Sequence, residues 1–191
     1  MLEGFLTAFQ RNASVAPYLY DDLMEVVKSL MRRCGKPEVI EEAATAAQLM
    51  KIDPDDSMNL LSRHKVILGV SAQALMSKAK ATDLQILSFQ TSCQQLLVAS
   101  IKKLLDRCPL KYKATKAISC LNPFTVLHNR STSEALMNDL LLLLHQLNRI
   151  TSDVADNAQA QFAAFCANVT TGSLTLVGMK TCASFTLTSS W

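Results

Sequence analysis

Ile86, Phe89, Cys93, Leu97, Ile101, Leu104 and Cys108 recur three or four residues apart, the spacing that lines one face of an α-helix. Thr82, with Gln85 three positions on, has the form of a capping box at its start. The pair Cys108-Pro109 ends it, because proline disfavours helical geometry in the residue before it. At about 1.5 Å per residue the helix would be roughly 40 Å long, so more than one partner is needed to cover its face. The stretch from Thr82 to Pro123 therefore organises the chain: this helix, a proline break, a short helix to about 119, and the run Ser119-Cys120-Leu121-Asn122-Pro123.

The same grammar runs through most of the chain. A helix is predicted over about 17–34, with Leu19, Leu23, Val26, Val27, Leu30, Met31 and Cys34 as its buried stripe and Gly35 as its stop. Asp21, Asp22 and Glu25 crowd its first turns and Lys28, Arg32 and Arg33 its last, which matches the helix macrodipole. Pro37 opens an alanine-rich helix to about 50, and 71–80 reads as a short one. Val66-Ile67-Leu68 fits a short strand or an extended loop. Ser131 with Glu134 forms a second capping box after a loop through His128 and Asn129. The helix it opens carries leucine on nearly every side from Leu140 to Leu144, as a central helix or one that pairs with another chain would. A last helix covers 153–168, with Val154, Ala158, Phe162, Phe165 and Cys166 on one side.

These elements predict an all-α, irregular bundle of about six to seven helices around a long central helix, forming one domain over 1–169 that includes an apolar lead-in at 4–10. Residues 170–191 hold no acid, one lysine and many hydroxyls, and read as a weakly structured tail or short hairpin. Composition sharpens this picture: 49% hydrophobic and 18% charged residues exclude a disordered chain, and five glycines and five prolines leave room for long elements. With no apolar run of about 20 residues and no signal-peptide pattern, a soluble intracellular protein without disulfides is expected.

Candidate chemistry is sparse. The six cysteines include no Cys-x-x-Cys pair and several occupy core positions, so they read as small hydrophobes. Cys93, Cys108, Cys120 and His128 match no zinc spacing. A calcium loop counted from Asp53 would need glycine at Met58 and glutamate at His64, so Asp53-Pro54-Asp55-Asp56 reads as turn chemistry. Asn12, Asn129 and Asn168 lie in sequons that would stay unmodified without secretion. No metal, cofactor or small-molecule substrate is expected, and no catalytic residue.

Phe5-Leu6-Thr7-Ala8-Phe9-Gln10, Ala16-Pro17-Tyr18-Leu19-Tyr20-Asp21-Asp22-Leu23, Pro109-Leu110-Lys111-Tyr112 and Ser119-Cys120-Leu121-Asn122-Pro123 together resemble a helical segment of the hAT superfamily of DNA transposases. The resemblance covers about residues 4–168. It implies a helical portion of the kind associated with an RNase H-like catalytic core. Such a core needs carboxylates from separate strands around divalent metal ions, and the zinc-binding DNA-recognition domain of intact members needs a Cys/His pattern; this sequence has neither. What the resemblance implies is therefore a non-enzymatic scaffold, in the nucleus before the cytoplasm.

Charge adds one further feature. Residues 1–60 carry six bases and ten acids (net −4), residues 61–116 ten bases and two acids (net +8), and residues 117–191 three bases and four acids (net −1). Lys102, Lys103, Arg107, Lys111, Lys113 and Lys116 follow the polar side of the organising helix, where they could contact phosphates or form a solvated face paired with the acidic first third. Two functions compete. One is a protein-interaction module using Leu136, Leu140, Leu143, Leu144 and Leu147, or another exposed apolar face, to bind itself or a partner. The other is a nucleic-acid-binding fragment without sequence reading.

Overall fold

The computed structural model describes residues 15–79 and 81–169. The apolar lead-in at 4–10, the Asn12 sequon, Cys182 and the tail at 170–191 lie outside the described residues. Among the described residues the fold is all-α, with nine α-helices and no named strand. They are α1 (Leu19–Met31), α2 (Pro37–Glu42), α3 (Ala46–Leu49), α4 (Val70–Lys78), α5 (Asp83–Arg107), α6 (Lys113–Ala117), α7 (Pro123–His128), α8 (Arg130–Gln146) and α9 (Ser152–Asn168). Short 3-10 turns at Ala16–Tyr18, Arg63–Lys65, Pro109–Lys111 and Ile118–Leu121 link them.

Two elements beyond the seven read from the pattern have local causes. The alanine-rich helix expected over 37–50 is two helices, because Thr45 turns extended and opens α3 with its own capping box to Gln48. The loop expected around His128 is largely α7, for which Asn122 supplies the cap: its Oδ1 accepts from Phe124 N at 3.0 Å, and Pro123 sits at the first helical position. The cap of α8 is also not the expected one. Asn129 Oδ1 accepts from Thr132 N at 3.1 Å, while Glu134 pairs with Arg130 at 2.7 Å. Val66-Ile67-Leu68 forms no named strand: Val66 is extended and buried, and Ile67 N donates to Arg33 O.

The chain divides into two compact units, one of residues 21–111 and one that takes in 15–20 and 112–169 of the described chain. In the first, α1 buries Leu23, Val26, Val27 and Met31, α2 adds Ile40, and α3 adds Ala46 and Leu49. From α5 come Val98 and Ile101. Met31, Cys34, Ile40 and Ile101 close around one small internal gap. The connections are tied by backbone bonds from Lys36 N to Asn59 O, Leu61 N to Cys34 O and Ile67 N to Arg33 O, each 2.8 Å. Gln94, buried on α5, donates from Nε2 to Leu61 O at 2.8 Å, which satisfies a polar side chain in an otherwise apolar row.

In the second unit Cys120, Val126, Leu136, Phe162 and Cys166 form the core, with Met137, Leu140 and Val169 packed against them. Ser133, fully buried on α8, donates to Cys120 O at 2.8 Å and ties that helix to the 118–121 turn. The run Ser119-Cys120-Leu121-Asn122-Pro123 is thus a 3-10 turn plus a helix cap rather than only a stop.

Candidate functional site

Capping of α5 follows the sequence. Thr82 Oγ1 accepts from Gln85 N at 3.3 Å, Gln85 Oε1 accepts from Thr82 N at 2.9 Å, and Cys108 turns extended before Pro109. Its buried face does not. Of the seven stripe positions expected to be inside, Ile101 and Cys108 are buried, and Gln94 and Val98 take the remaining inward places. Burial on α5 begins only at Gln94, and no described side chain before it on the helix is buried.

The consequence extends beyond one helix. Among the described residues from Ile67 to Cys93 none is buried, although this arm contains Ile67, Val70, Leu75, Leu84, Leu87 and Phe89. Val70 is 83% exposed, Leu84 77%, and Leu96 on the next turn 68%. α4, with nine residues and no buried side chain, is shorter than the roughly 12–15 residues at which isolated helices become even marginal in water. Charge is missing as well. From Leu84 to Ile101 there is no Asp, Glu, Lys, Arg or His, where a helix facing water ordinarily carries several. Phe89, Cys93 and Leu96 cluster roughly 140° around the helix from Gln94, Val98 and Ile101, at about 100° per residue. α5 therefore has one apolar face turned into its own unit and another left open.

The leucines expected to form an interaction face have a different fate. Leu136 is buried and Leu140 packs on the core of the second unit, so both serve that core. Leu143 and Leu144 are half-buried, and only Leu147 of the five is exposed, as is Leu142 on the same helix. A helix apolar all round is here mostly a central one.

The basic residues are also divided. Lys102 pairs with Asp55, and Lys111 Nζ donates to Asp106 O at 2.8 Å. Lys103 and Arg107 are exposed one helical turn apart on α5. Lys113 and Lys116, on α6, belong to the other unit.

The four buried thiols are poor nucleophiles. Burial pushes Cys34 up to about 11, and burial followed by the neighbouring Cys166 does the same for Cys120. Cys108 and Cys166 are raised too, chiefly by burial. The acidic turn is built from its own backbone: Asp53 Oδ1 accepts from Asp55 N at 2.9 Å and Asp56 Oδ1 from Met58 N at 2.8 Å. Among the described residues no group of three His, Cys, Asp or Glu side chains could hold a metal ion, and no helix is long and apolar enough to cross a membrane.

Periodicity marks α5 but not the open arm, since an exposed apolar face and a buried one have the same spacing. The uncharged run from Leu84 to Ile101 was the available signal. Comparison with protein-family models, curated proteins and solved structures returns no match.

Proposed function

We propose that this chain is a non-catalytic helical interaction module, of transposase-derived origin and nuclear setting, that self-associates through the arm formed by α4 and the first half of α5. The observation that carries the reading is the absence of buried side chains along that arm, together with the absence of charge from Leu84 to Ile101. Exposed apolar surface of this extent marks an interaction site, and interface centres are depleted of charged residues. A second copy is the occupant that fits best. Two uncharged faces meet without like-charge repulsion, and the Gln, Ser and Thr residues flanking Phe89, Cys93 and Leu96 can hydrogen-bond to their own kind across a two-fold axis.

Amide hydrogen exchange at rising protein concentration tests this directly. Protection across residues 83–93 should rise with concentration, while that of Val98 and Ile101 should not. Concentration-independent exchange in the arm contradicts the reading.

The nucleic-acid reading has a narrower base. Within the first unit it rests on Lys103 and Arg107, since Lys102 and Lys111 already have partners. Two phosphate contacts give a slope of log affinity on log salt of about −2. A much steeper slope that disappears in K103Q/R107Q would favour DNA binding over self-association as the function.

A further inference from the structure

The first unit contains a cavity of about 680 Å³ lined by residues that neither the arm nor the basic stretch of α5 explains. Its cationic wall is Lys36, Arg63 and Lys65, brought together because the backbone bonds from Lys36 N to Asn59 O and from Leu61 N to Cys34 O bind two distant loops side by side. Ser57, Ser62 and the amide of Gln94 add neutral polar groups, and Pro37, Leu60 and Leu61 add an apolar wall.

Among the described residues no ion pair neutralises the three cations that line the cavity. The acids Glu25, Glu41 and Asp55 are taken by Arg32 and Lys102, whereas Lys36, Arg63 and Lys65 form no ion pair among the described residues. Glu38 is the one carboxylate lining the cavity and pairs with none of them. Three cations against one carboxylate, with hydroxyl and amide groups between them, favour a multiply charged oxyanion, for which Arg and Lys are the matching donors. The volume lies within the roughly 300–1,000 Å³ of small-molecule sites, and the apolar wall suits an organic body attached to that anion. A concave site of this size takes a small molecule or a chain end, whereas a duplex lies along an extended surface.

We propose that this cavity binds a phosphate monoester carried on a planar or apolar organic group, of the size of a nucleoside monophosphate. Lys36, Arg63 and Lys65 hold the phosphate, and Pro37, Leu60 and Leu61 contact the body. The same chemistry comes from a free nucleotide or from the 5′-phosphate of a nucleic-acid end.

Isothermal titration of the full chain with AMP, adenosine, and a 5′-phosphorylated tetranucleotide tests this. AMP should bind and adenosine should not. Lys36→Gln, Arg63→Gln and Lys65→Gln should each weaken AMP by about tenfold, as loss of one charge-assisted hydrogen bond does. The triple variant, with circular dichroism confirming an unchanged helical fold, should abolish binding. K103Q/R107Q, outside the cavity, should leave AMP affinity unaltered. Tighter binding of the tetranucleotide than of AMP assigns the phosphate to a nucleic-acid end, and equal or weaker binding assigns it to a free nucleotide. Adenosine binding as well as AMP, equal losses in K103Q/R107Q, AMP affinity unchanged in the single cavity variants, or no binding of either phosphate at millimolar concentration overturns the proposal.

Discussion

Ile101 is the side chain through which the long helix joins its unit: it is 1% exposed and shares its surroundings with Met31, Cys34 and Ile40. Truncation to alanine leaves a cavity bounded by three separate segments, which have limited freedom to collapse. Ile101→Ala should cost about 2–5 kcal/mol in denaturant-unfolding experiments. Phe89→Ala, three turns earlier on an exposed position, should cost far less in the monomer. A second residue-scale effect is ionic. Arg32 Nε donates to Glu41 Oε1 at 2.8 Å and Nη1 to Glu25 Oε1 at 3.1 Å, and the hydrogen bond from Arg32, more than its charge, holds the Glu41 carboxyl below its ordinary value of 4.5. Because the folded value lies below the unfolded one, the contribution is present above the unfolded value and is lost as pH falls through the folded value. A carboxyl-resolved NMR titration should place the Glu41 midpoint below 4.5 and return it towards 4.5 in Arg32→Met.

At the scale of the element, the arm is held by its ends. Gly69 has φ +97° at the start of α4, a conformation that L side chains rarely adopt, and nothing lies within 4 Å of a Cβ built there. Gly69→Ala should therefore destabilise through backbone strain alone, by about 1–3 kcal/mol. Thr82→Ala removes one half of the α5 capping box and should cost about 1 kcal/mol. With no tertiary burial nearby, that loss should appear as faster amide exchange confined to the first turns of α5, around residues 83–86. Elements of this kind were legible because caps are local: Thr82, Gln85, Pro109 and Pro37 act on neighbours in the chain. The break at Thr45 was hidden because its alanines suit a continuous helix as well as two short ones. Burial was harder still. Gln94 is inside because Leu61 O accepts from it, a pairing 33 residues apart that periodicity does not contain. The cationic cavity was illegible for the same reason, since Lys36 and Arg63 meet only when two loops are joined.

At the scale of the molecule, the leucine-rich α8 and the mixed-polarity α5 exchange the roles that their compositions suggest. Leu136, Leu140 and Leu141 are consumed by the second unit, and α5, with Gln, Ser and Thr among its apolar residues, keeps an open face. Hydrophobicity alone does not separate a core from an interface; missing charge on exposed turns does, because it removes the usual reason for a helix to face water. A second copy of the chain is the proposed occupant of this face. Sedimentation velocity across a hundredfold concentration range measures this association most directly, comparing the parent chain with F89E/L96E, in which both changes fall on exposed positions. A concentration-dependent dimer is expected for the parent and a monomer of unchanged helicity for the variant. A parent that stays monomeric throughout, or a variant that dimerises equally well, would contradict that assignment.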